Sequence, residues 1–121
     1  MLPPRIESFL NAGEVVAAEV PSEQPGTRTF VRIRPLPKSG VPREEHRYLN
    51  SSWSMWEYWD FEFRRFALRD GWSEDQWNYD RYILADQRHL AVDSASFQHL
   101  LTSLIPNSAA LQHVTESECP E

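Results

Sequence analysis

Two sets of residues have the types and spacing to do chemistry. The first is acidic and aromatic: Asp70, Trp72, Glu74, Asp75, Trp77 and Asp80. Carboxylates beside aromatic rings suit sugar cleavage, where one acid is held protonated and another ionised. The same set suits recognition, because an acidic edge with tryptophan anchors fits the basic cleft of a cationic partner. Glu74 and Asp75 are also the acids that the first turn of a helix favours.

The second set is Arg28, Phe30, Arg32 and Arg34, alternating in TRTFVRIR. In an extended chain they share one face, opposite Thr29, Val31 and Ile33. Basic residues around an aromatic ring can bind single-stranded nucleic acid. They can equally grip an acidic protein, or pair with Glu14 and Glu19 of a neighbouring strand.

Other constellations are sparse. Asp86 and His89, with Asp93 following, are the carboxylate and histidine that a small enzyme pocket could use. The usual tight metal spacing is missing, so no metal and no cofactor are expected. The chain lacks a glycine-rich phosphate loop, a Gly-x-Ser-x-Gly elbow and a Ser-x-x-Lys pair. Lys38 is the only lysine and sits among prolines, which argues against a Schiff base. Cys119 is the only cysteine, so an intramolecular disulfide and a multi-thiolate site are both excluded.

The elements that would position these residues read as follows. Pro3 and Pro4 open a short helix carrying Ile6, Phe9 and Leu10, closed by Gly13. Glu14–Val20 and Thr27–Arg34 form an antiparallel hairpin with one packed and one wet face, ended by Pro35. The stretch 35–48 is a proline-bearing loop. Ser51–Gly71 reads as one aromatic helix, with Met55, Trp56, Trp59, Phe63, Phe66 and Ala67 on its core-facing stripe. A second capping box at Ser73–Gln76 starts a helix reaching toward Asp86. Residues 82–92 are ambiguous between helix and strand, with helix favoured. Asp93 or Ser94 caps a last long helix bearing Phe97, Leu100, Leu101, Leu104 and Ile105. The expected fold is α+β: a short N-terminal helix and an antiparallel β-hairpin, alone or as part of a small sheet, packed against about three helices led by the aromatic one. One domain spans 1–114, and 115–121 is an acidic, frayed tail.

Composition bounds the function. The 121 residues suffice for one domain, and the net charge is −6. Residues 1–50 carry seven basic and six acidic side chains, whereas 51–121 carry five and twelve. That balance disfavours general affinity for nucleic acid or anionic membranes. No apolar run reaches the length of a membrane span, and no secretory signal is visible, so a cytoplasmic location is expected.

The sequence therefore points to a non-enzymatic protein-interaction module of immunity, inhibitor or regulatory-subunit type. Its partner would be another protein, basic in character; self-association is open. The alternatives are a small enzyme with a carboxylate/histidine pocket and a single-strand nucleic-acid binder.

Overall fold

The computed structural model describes residues 2–38, 55–72 and 80–120. Its centre is a five-stranded antiparallel sheet with three short helices, and this corrects the helix-led α+β arrangement expected from the sequence. The strands are β1 (Val16–Val20), β2 (Thr27–Pro37), β3 (Trp59–Arg69), β4 (Ile83–Ala91) and β5 (Gln112–His113), in the order β4-β3-β2-β1-β5. The helices are α1 (Pro4–Asn11), the single turn α2 (Met55–Tyr58) and α3 (Ser94–Leu104).

The largest correction concerns Ser51–Gly71. Residues 51–54 lie outside the described residues, and only α2 is helical; from Trp59 the chain is strand β3, flanked by β2 and β4. The reason is a change of face within one strand. Trp59, Phe61 and Phe63 are buried on one side of the sheet, and Arg64, Phe66 and Leu68 on the other. Merged on a helical wheel, Trp59, Phe63 and Phe66 imitate a stripe with spacings of four and three. Phe61 settles the matter: it falls off that stripe, yet it is fully buried. Aromatic side chains also favour the pleated, packed surface of a strand.

The expected helix toward Asp86 is corrected in the same way. Residues 73–79 lie outside the described residues, and Ile83–Ala91 is strand β4, paired with β3 from Phe61↔Ala91 to Leu68↔Ile83. A long partner strand overrides the weak helical preference of this run.

The hairpin forms as its alternation predicts, with Val16 opposite Ile33 and Val20 opposite Thr29. Pro35 does not end β2, which continues to Pro37. The register with β1 stops at Ile33, and beyond it β2 is paired with β3 alone. A proline is tolerated where one side of the backbone has no strand to serve.

The main core lies between one sheet face and the helices. Ile6 and Leu10 of α1, and Phe97 and Leu101 of α3, pack on Val16, Val31, Ile33, Phe61 and Phe63. Phe97 meets Phe61 and Phe63 edge to face, each at 5.1 Å between centroids, the geometry that aromatic quadrupoles favour. Asp93 caps α3 in a reciprocal box with Ser96, as its position before the apolar run predicts.

The opposite face is not simply wet. Ala17, Phe30, Phe66 and Leu68 form a second cluster with Val114 and Cys119, and Trp72 and Tyr82 pack against it. Val114 and Cys119 bring this part of the chain, which includes 115–120 of the expected tail 115–121, onto this face. Arg5 pairs with Glu116, Arg28 with Glu118, and Arg32 reaches the Pro120 carbonyl.

Candidate functional site

The strand order gives the sheet two unlike ends. At one end β4 is the outer strand, paired with β3 on one side only among the described residues. At the other end a cavity lies between the α1–β1 connection, β2 and residues 113–115.

The outer strand carries an unusual surface. Seven of its nine residues, Leu84–Leu90, are exposed. Leu84 and Leu90 are each 54% exposed, and Val92, just past the strand, is 49% exposed. These are the large apolar side chains left open among the described residues, and all three belong to this one edge. An exposed apolar edge strand is a ready template for pairing with another chain. The β3–β4 connection adjoins it. Asp70 and Asp80 there are exposed, whereas Trp72 is half-buried with its ring 5.8 Å from that of Phe30. Glu74, Asp75 and Trp77 lie outside the described residues. From Asp70 to Asp80 the sequence has four carboxylates and no basic residue.

The arginine strand is assembled as its alternation predicts, but its residues differ in state. Arg28 is saturated: Nε and Nη2 donate to Glu19 at 2.8 and 2.6 Å, and Glu118 adds a second carboxylate. Those bonds raise the Arg28 pKa and hold the Glu19 carboxyl below its ordinary value. Phe30 is buried and stacks edgewise on Trp72, so its face is not open to a base. Arg32 and Arg34 are less engaged. Among the described residues Arg32 makes one hydrogen bond, from Nη1 to the Pro120 carbonyl at 3.5 Å, and its charge also helps to lower the Asp86 pKa. Arg34 has its nearest carboxylate, Glu62, at 3.6 Å. Both distances lie beyond a good hydrogen bond.

Arg32 and Arg34 form part of the lining of a cavity of about 460 Å³, completed by Gly13–Val15 and His113–Thr115. His113 is the organising residue there. The Thr115 backbone N–H donates to its Nδ1 at 3.2 Å, and its Nε2 donates to Glu14 at 2.7 Å. Both ring nitrogens are thus engaged, and the ring is fixed between α1 and β5 by an edge contact with Phe9. Sequence reading leaves His113 among scattered surface histidines, because its partner Glu14 sits at the other end of the chain. The pairing of Val16 with His113 brings the two together.

The carboxylate and histidine proposed for an enzyme pocket are not brought together. Asp86 lies opposite Phe66 and bonds Arg64 on the second sheet face, whereas His89 lies opposite Phe63 on the first. Their odd spacing, harmless on a helix, separates them across a strand. Among the described residues no cluster of His, Cys, Asp and Glu could hold a metal. No helix there is long and apolar enough to cross a membrane.

No family model, no curated protein and no solved structure matches the chain. The functional reading therefore rests on the geometry just described.

Proposed function

We propose that this protein is a non-enzymatic protein-binding module that presents β4 and the acidic β3–β4 connection to a basic partner. The observation that carries the reading is the concentration of exposed apolar side chains at one outer edge, Leu84 and Leu90 on β4 and Val92 just past it. Strand addition would satisfy the backbone edge of β4 that pairs with no strand among the described residues, and these side chains would supply apolar anchors. The carboxylates from Asp70 to Asp80 would steer a cationic partner and fix its orientation. The separation of Asp86 from His89 supports binding over catalysis. The lone cysteine fits a cytoplasmic setting, where folding cannot lean on disulfides.

The reading is tested by affinity capture from the native host at low salt, with a Leu84→Lys, Leu90→Lys double variant beside the wild type. The expected result is a stoichiometric basic partner held by the wild type and lost by a variant of unchanged far-UV dichroism. Capture of the same partner by both proteins, or of none by either, overturns the proposal.

A further inference from the structure

The cavity at the opposite end of the sheet has a different chemistry and needs no partner strand. We propose that it is a binding site for a small molecule bearing one carboxylate or phosphate group on a compact apolar body, held by Arg32 and Arg34.

Four observations combine. The volume of about 460 Å³ lies within the ~300–1,000 Å³ range of small-molecule sites. Its walls join two guanidinium groups to the apolar side chains of Val15 and Val114. Those two arginines are the under-used members of the second face. Arg28 and Arg64 each hold a carboxylate through two bonds of 2.6–3.0 Å, whereas among the described residues the hydrogen-bond and ion-pair contacts of Arg32 and Arg34 are the long ones at 3.5 and 3.6 Å. A guanidinium presents five donors in a planar fork that matches an oxyanion, so unused donors beside a cavity define its ligand class. Finally, the one acidic side chain in the lining, Glu14, accepts a bond from His113. Arginine therefore outnumbers carboxylate in the walls, two to one.

The site is built from parts that hold still. Arg32 and Arg34 are alternate residues of β2, flanked by β1 and β3 in the first case and by β3 in the second. Gly13 contributes a wall without a side chain, at φ +82°. The Thr115 wall is fixed by its backbone bond to His113.

The probes are phenyl phosphate and benzoate, with benzyl alcohol as the uncharged control, titrated into the ¹⁵N-labelled full chain. The expected result is saturable shifts of the amides at 13–15 and 113–115, with a Kd of about 1 mM or tighter for at least one anion. Benzyl alcohol should bind at least about tenfold more weakly. Arg34→Gln, at an exposed position, should weaken anion binding by about tenfold or more, and Arg32→Ala likewise. Arg69→Ala, remote from the cavity, should bind as the wild type does. Preference for phenyl phosphate over benzoate, or the reverse, identifies the head group. Absence of saturable shifts, equal response to benzyl alcohol, or unchanged affinity in Arg34→Gln overturns the proposal.

Discussion

Arg64 donates from Nε and Nη2 to the two carboxylate oxygens of Asp86, each at 3.0 Å, across the β3–β4 ladder. The pair is asymmetric in burial: the Arg64 side chain is 6% exposed and that of Asp86 32%. Arg64 also stacks its guanidinium 4.5 Å from the Phe66 ring centroid. Removing the carboxylate would leave a buried cation without its main counter-charge. Asp86→Ala should therefore lower stability by about 2–3 kcal/mol, below the usual range for a fully buried pair because Asp86 keeps some contact with water. Urea denaturation at neutral pH reads this directly, and a change under 1 kcal/mol would mean that the pair is dispensable.

The same carboxylate sets an acid limit. Hydrogen bonds from Arg64 hold the Asp86 carboxyl below its ordinary value, and Arg28 does the same for Glu19. A pKa lowered on folding contributes stability above the unfolded value, of about 4, and that stability is lost as pH falls through the folded value. The melting temperature should hold from neutral pH to about 5 and decline below about 4. In an Asp86→Asn, Glu19→Gln variant the decline should be shallower. A slope identical to the wild type's would assign the acid limit to other groups.

Lys38 ties three elements at one point. Its Nζ donates to the Trp56 carbonyl, to Asp60 and to the Val92 carbonyl at 3.1, 2.8 and 2.9 Å. Three donors meet three acceptors, so Lys38→Met removes three bonds at once. A loss of about 1–3 kcal/mol is expected. Hydrogen exchange should show it first near Trp56 and Val92, and unaltered protection there would refute the tie.

Gly13 has φ +82°, and a Cβ built on it would lie 3.0 Å from the Trp59 ring. That ring is itself held, by an Nε1–H bond to the Asn11 carbonyl at 3.2 Å. Gly13→Ala should cost about 1–3 kcal/mol, from the left-handed backbone and the contact together. Tryptophan fluorescence should shift as Trp59 gives way. A variant as stable as the wild type, with the same spectrum, would contradict this packing.

Burial pushes the Cys119 thiol up to about 12. At neutral pH the folded protein should react slowly with a thiol reagent, because the thiolate is the nucleophile. In denaturant the reaction should become fast. Equal rates in both conditions would mean that the second-face cluster does not enclose Cys119.

What could be read from the sequence follows the range of the forces involved. The hairpin was legible because TRTFVRIR alternates strictly and its partner is adjacent. The helix after Asp93 was legible because cap and apolar stripe are both local. β3 was not, because its apolar residues serve two faces in succession, and a one-face pattern is what periodicity detects. The contacts of residues 115–120 were out of reach of the sequence for a related reason. Their glutamates signal solvent, yet Arg5 and Arg28 receive two of them and the sheet receives Cys119. The cavity was half legible: Arg32 and Arg34 stood out, whereas Glu14 and His113 meet only through the closing strand pair.

That closing pair also sets an order of assembly. From β1 to β4 every neighbour in the sheet is a neighbour in sequence, so the meander can zip from one hairpin to the next. β5 is different: Val16↔His113 and Ala17↔Gln112 join the two ends of the chain. Such a contact incurs the entropy of the largest loop in the protein and forms late. Until it forms, Phe30 and Phe66 lack their cover from Val114 and Cys119, and the cavity lacks its wall of residues 113–115. Val114 and Cys119 are thus made after the four strands whose second face they shield, so Phe30 and Phe66 stay sticky while the meander forms.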